Sequence, residues 1–280
     1  MKFVRTIVII LFILAAAAFG ISKAVELKNR DTSVPEIISD REVLEIPCDY
    51  TEEQLMEGLT ACDAKDGDLT AEIVAGNFSR FLSPGLCDLT YVVFDSSNQP
   101  GSLTRRVRFT DYHSPDFTLT DPLVFEESEG SYTAVMDQIG ASDMLEGDLS
   151  DWVIQTDSDA NYQKSGDYHV QMEVTNSYGD TSSLSLPVHV VKSGSQSMEI
   201  VLSSWIVYLD PGSEIRPADY VTALYNGSGE SVGAEAVSWE SGVDTQTPGV
   251  YEIHYMASDG QGHSGETWMT VVVREQEEQP

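Results

Sequence analysis

The residues best equipped for chemistry in this chain are carboxylates drawn together by turn-forming glycine. Asp63, Asp66 and Asp68 lie within Asp63-Ala-Lys-Asp-Gly-Asp-Leu-Thr70, and Asp143, Glu146 and Asp148 within Asp143-Met-Leu-Glu-Gly-Asp-Leu-Ser150. Such clusters suit Ca²⁺, which takes about six to eight oxygen ligands. The spacing is not that of a calcium loop with ligands at alternate residues, and no distal bidentate Glu follows. The architectural reading is that Asp66-Gly67 makes a turn with positive φ at Gly67, and Asp68 caps neighbouring amides. Calcium and architecture both stand open at this level.

Other chemistry finds less support. His113, His169, His189, His254 and His263 have no metal-ligand spacing, and His169 and His254 fall at strand positions expected to face solvent. No Gly-x-Ser-x-Gly elbow occurs, and among 46 Asp and Glu, acidic pairs are too common to indicate glycosidase chemistry. No catalytic residue, resident cofactor or metal-ligand set is assigned, and an enzyme is not expected. Four tryptophans (Trp152, Trp205, Trp239, Trp268) would either fill cores or stack on sugar rings. The second use would make the last third of the chain, through Trp239 and Trp268, a carbohydrate-binding module.

The elements that must position these residues form a repeat of about eighty residues. The two acidic turns are eighty positions apart, and Pro84-Gly-Leu-Cys-Asp-Leu-Thr-Tyr-Val-Val-Phe-Asp95 returns as Ser165–Asn176 and as Pro248–Asp259. Gly85, Gly166 and Gly249 are 81 and 83 residues apart. Each block precedes a polar turn and a closing strand: Leu103–Thr110, Ser183–Val191 and Thr267–Val273. Alternation such as Val170, Met172, Val174 marks half-buried strands. Turn residues every eight to twelve positions, roughly, mark a sandwich of two sheets. The reading is all-β: three tandem β-sandwich domains at 33–113, 114–192 and 198–274, after an amino-terminal hydrophobic helix. A short helix is expected at Thr51–Glu57. Of the linkers Asp111–Pro115 and Lys192–Ser197, the second, with its glycine and serines, is expected to bend more freely.

Residues 1–30 carry Lys2 and Arg5 before an uncharged run, Thr6–Ile21, that reads as a signal anchor or signal peptide. Ala18-Phe19-Gly20 offers a cleavage site; uncleaved, the apolar stretch reaches about 20 residues, enough to span a bilayer. The favoured reading is a single-pass membrane protein with its carboxyl-terminal region outside the cytoplasm, or a secreted one if the signal is removed. The tail Arg274–Pro280 is polar. Formal net charge is −31 with 15 Lys and Arg, five of them in the first thirty residues. A polyanion of this kind is repelled by phosphate backbones, which excludes nucleic acid as a partner; contact with the membrane is expected only through the amino-terminal segment. Outside the cytoplasm disulfides persist. Cys48 continues the alternation of Leu44 and Ile46, and Cys87 that of Leu89, Tyr91 and Val93. Cys48–Cys87 is the preferred bridge, Cys62–Cys87 the second choice, and three free cysteines the third reading.

The series Gly-Leu-Thr-Ala-Cys-Asp-Ala-Lys-Asp-Gly-Asp-Leu-Thr, then Pro-Gly-x-x-x-x-x-Tyr-x-x-x-Asp, then Arg-Arg-Val-Arg-Phe resembles a bacterial Ig-like module. The type is the one first named from pesticidal crystal proteins and related to the hyalin repeat. The likeness is strong in the first unit, good in the second, and covers only Val243–Val273 of the third, which lacks the Asp-Gly-Asp turn. It implies immunoglobulin-like sandwiches of a seven-stranded type, serving as spacer or adhesive modules on a surface with an unknown protein or glycan ligand. It carries no catalytic residues.

Overall fold

The computed structural model of the 280-residue chain describes residues 2–28 and 32–275. Arg30 of the leader and residues 276–280 of the polar tail, both part of the expectations above, lie outside the described residues. Helix α1 (Lys2–Lys28) contains Arg5–Val25, 21 residues of mean hydropathy 2.4, long and apolar enough to cross a membrane.

Each repeat folds into a three-stranded and a four-stranded sheet. The first uses β1 (Glu36–Ser39), β2 (Val43–Ile46), β3 (Leu59–Asp63), β4 (Gly67–Asp68), β5 (Val74–Phe78), β6 (Leu86–Phe94) and β7 (Pro100–Phe109). Their sheet orders are β1-β3-β4 and β2-β7-β6-β5. The second uses β8 (Asp116–Leu119), β9 (Val124–Glu126), β10 (Ile139–Asp143), β11 (Gly147–Asp148), β12 (Ile154–Ser158), β13 (Gly166–Thr175) and β14 (Thr181–Val191). The third uses β15 (Glu199–Leu202), β16 (Ile206–Leu209), β17 (Val221–Tyr225), β18 (Ser231–Val232), β19 (Val237–Ser241), β20 (Gly249–Ser258) and β21 (Ser264–Val273). The same two orders recur in each.

Period-two patterning explains the layers. Cys87, Leu89, Tyr91 and Val93 on β6 are fully buried, as are Val170 and Met172 on β13 and Ile253 and Tyr255 on β20, with more exposed residues between them. The opening strand of every repeat changes sheets. β1 pairs antiparallel with β3, and after a short break β2 runs parallel to β7, Val43 opposite Arg106 and Ile46 opposite Phe109. β9 joins β14 and β16 joins β21 in the same way. One short stretch of chain thus belongs to both layers. Where the third repeat begins, a Cβ at Gly265 would sit 1.9 Å from the Met198 carbonyl oxygen, so only glycine permits that approach.

The strands group into two compact units. The first holds α1 and the first sandwich: residues up to Ile46, Tyr50–Leu82 and Leu86–Phe109. The second holds the second and third sandwiches together: Thr110 onward, with Pro47–Asp49 and Ser83–Gly85. Inside it, Ile206 and Val272 of the third sandwich belong to the core built around Phe117, Val135, Met172 and Leu186 of the second. Met198, Leu224, Ile253, Tyr255 and Met269 centre the other core.

Three local expectations need correction. The Cys48–Cys87 bridge does not form; Cys48, Cys62 and Cys87 are all free. Pro47 ends the alternation at Ile46, so Cys48 lies beyond the strand, and burial pushes the Cys48 and Cys87 thiols up to about 12. The Lys192–Ser197 linker is pinned: Gly194 and Gln196 amides donate to Glu126, and the Gln196 side chain donates to the Glu266 carbonyl at 2.8 Å and accepts from its amide at 2.9 Å. Finally, the expected helix shortens to α2 (Glu52–Leu55), where the Thr51 amide donates to Gln54 Oε1 at 2.7 Å. A counterpart, α3 (Tyr132–Met136), was not expected: the Ser131 hydroxyl accepting from the Ala134 amide outweighs the strand-like composition.

In the first unit Arg105 is 3% exposed, at the place held by Leu186 and Met269 in the other sandwiches. Its guanidinium donates to the carbonyls of Leu55 and Glu57 and to Tyr91 Oη, each at 2.8 Å, closing the carboxyl end of α2. Arg105→Met, although Met stands at this position in a sister module, leaves the Glu57 carbonyl without this donor and the Leu55 carbonyl with the Tyr91 hydroxyl alone, and should cost about 2–4 kcal/mol. Urea unfolding read by amide exchange within β6 and β7 checks this; an unmoved midpoint contradicts it.

Candidate functional site

The acidic turns place each carboxylate on a different partner. Asp63, 6% exposed, accepts the amides of Lys65 at 2.8 Å and Asp66 at 3.0 Å. Asp66 accepts the Ser96 amide at 2.8 Å and hydroxyl at 2.9 Å, tying the turn to the β6–β7 hairpin. Asp68 accepts the Thr70 amide at 2.9 Å. The second turn repeats the scheme. Asp143 holds the amides of Leu145 and Glu146, Glu146 holds the Ser177 amide and hydroxyl, and Asp148 holds the Ser150 amide and hydroxyl. Gly67 and Gly147 sit at φ +79° and +76°. Hydrogen bonds from the hydroxyls and amides of Thr70 and Ser150 hold Asp68 and Asp148 below the usual carboxylate range. A carboxylate lowered on folding favours the fold above its ordinary pKa, and that contribution fades as pH falls through the lowered value. Among the described residues no three His, Cys, Asp or Glu side chains are arranged to hold a metal ion.

A second constellation lies where the second and third sandwiches join. Trp268 on β21 is stacked between two imidazoles: His189 of β14 at 3.9 Å with ring planes 10° apart, and His254 of β20 at 4.1 Å and 4°. His189 is 5% exposed, and its Nδ1 and Nε2 meet Asp167 at 2.8 Å and Glu252 at 2.7 Å. His254 contacts Glu266 at 2.9 Å. Beyond this stack, Arg274 forms a two-pronged pair with Asp116 at 2.8 and 2.5 Å and lies over the Tyr208 ring, 4.5 Å from its centre. Tyr208 Oη accepts the Phe117 amide at 2.7 Å. Burial first, and the Asp116 charge second, raise the Tyr208 hydroxyl, which stays protonated.

This arrangement corrects the reading of the aromatics. Both faces of Trp268 are covered by imidazoles, so it offers no platform to a sugar, and His254 is half-buried against it rather than facing water. Trp205 packs against the third core. Trp239 and Trp152 are exposed, at 43% and 68%, and His169 is exposed as expected. Part of the stack had a readable signal. The hairpins centred on Tyr178 and Gln261 set Asp167 opposite His189 and His254 opposite Trp268. What pattern alone does not give is the contact between modules that brings His189 onto Trp268.

Paired three- and four-stranded sheets with a strand shared between layers define an immunoglobulin-like sandwich. Residues 207–273 match the family described as bacterial surface protein, Ig-like domain. Over 218 residues the chain is 26% identical to pesticidal crystal protein Cry22Aa of Bacillus thuringiensis, covering 77% of this chain and 29% of that protein. It is 30% identical over 142 residues to an uncharacterized 81.3 kDa protein of Acholeplasma phage L2, covering 48% of this chain and 18% of that one. The chain therefore spans less than a third of these relatives' length. The EC1–3 fragment of Drosophila N-cadherin aligns over 88% of this chain and 90% of its own, at 9% identity and TM-score 0.31. The chain is thus similar to Ig-like modules of the pesticidal crystal protein type, with the surface-family match lying at residues 207–273.

With each turn carboxylate already accepting an amide or hydroxyl through at least one oxygen, millimolar calcium should leave the melting temperature of the full chain unchanged to within about one degree relative to chelator. A rise of several degrees would instead make the turns ligand sites, because a ligand selective for the folded state stabilises it.

Proposed function

We propose that the chain is a non-catalytic scaffold displayed at a cell surface, held by α1 and projecting tandem Ig-like modules as spacer and adhesion elements. The observation that carries this reading is the joint between the second and third modules. A presenting stalk needs joints that keep direction, and Arg274–Asp116, Tyr208–Phe117 and Gln196–Glu266 fasten this one with charge-assisted and backbone-directed hydrogen bonds. A formal net charge of −31 suits display, since it keeps neighbouring copies apart and resists non-specific adsorption. The match to a bacterial surface family supports the location. If the leader is cleaved, the same modules act as a secreted protein.

A second reading, contact with glycans, is favoured by Trp239, whose exposed ring lies on the edge strand β19. Protease added to intact cells should cut the region after residue 32 while cytoplasmic markers survive; full protection of that region would contradict surface display. On a glycan array, a signal lost in a folded Trp239→Ala variant would establish the second reading. A signal equal in both proteins would remove it.

A further inference from the structure

The His189–Trp268–His254 stack has a feature that neither turn architecture nor display requires. A neutral imidazole has one N–H and one lone pair, so it can donate to only one of two carboxylates. Both ring nitrogens of His189 lie within hydrogen-bond distance of carboxylate oxygens, Asp167 on its own module and Glu252 on the next. Only the imidazolium satisfies both; a neutral ring turns a lone pair on one of them. The ring is enclosed, with Trp268 over its face and Val124 of β9 opposite it in the sheet. The ionisable groups that face it from neighbouring strands are Asp167 on β13 and Glu252 on β20, while His254 of β20, with its partner Glu266 of β21, lies across Trp268 from it.

We infer that docking of the second module onto the third takes up a proton at His189, so that this joint is tight in mildly acidic surroundings and loosens as they become alkaline. Burial opposes the charge, but the hydrogen bonds and charges of Glu252 and Asp167 outweigh it and raise the His189 pKa above its ordinary 6.5. A group raised on docking contributes fully below its undocked pKa, and that contribution is lost as pH rises through the docked value. Glu252 is the partner the joint supplies, with its side chain 29% exposed against 81% for Asp167. The Arg274–Asp116 pair spans the same joint by a separate contact.

The test uses the full chain in mild detergent. Ring NMR resonances of His189, assigned through their loss in His189→Gln, should titrate above a free histidine, and Glu252→Gln should bring the midpoint down. Exchange of the Phe117 and Glu266 amides, corrected for intrinsic rates, should accelerate between roughly pH 6 and 9 as His189 loses its proton. In His189→Gln that acceleration should vanish. An ordinary His189 midpoint, a midpoint unmoved by Glu252→Gln, or corrected exchange that does not vary with pH in the unmodified chain would each overturn the inference. Should His189→Gln not fold, the Glu252→Gln titration decides alone.

Discussion

A sandwich of about eighty residues has too little interior to be generous: at this size a domain buries only about 60–65% of the surface its unfolded chain exposes. Small extracellular modules commonly meet that limit with disulfides, yet here the three cysteines are free. The second module instead borrows apolar surface from the third. Ile206 and Val272 enter its core, and Tyr208 covers the edge while accepting the Phe117 amide. At about 25 cal/mol per Å² of apolar area removed from water, two such side chains contribute a few kcal/mol, comparable to what a disulfide would supply. The joint is thus part of the fold as well as a link between folds.

The heavy excess of acid fits the same frame. Carboxylates in a chain this anionic repel one another unless each finds donors. The turns give them backbone amides and serine or threonine hydroxyls, and the same scheme in the first and second modules locks the turn to the hairpin beside it. Where a cation is supplied, it is placed with purpose. Arg105 closes α2 from within a core, and Arg274 clamps Asp116 across the joint.

Much of this was legible in the residues. The eighty-residue repeat, the alternating strands, the positive φ at Gly67 and a short helix after Thr51 all follow from local chemistry, which the structure keeps. The disulfide expectation failed because alternation was extended through Pro47, a residue that ends the strand. The flexible-linker expectation failed because serine and glycine permit bending but do not enforce it, and Glu126 and Glu266 capture their amides and side chains. The buried stack around Trp268 depends on the docking of two modules, and no periodicity within either one reports it.

The central claim, that the second and third modules are one cooperative body completed by a shared core, is tested most directly by amide exchange during urea unfolding of the full chain. β13 and β20 should lose protection at the same urea concentration, and Val272→Ala should lower both midpoints together. Loss of protection in β20 while β13 remains fully protected, with Val272→Ala moving only the third module, would contradict it.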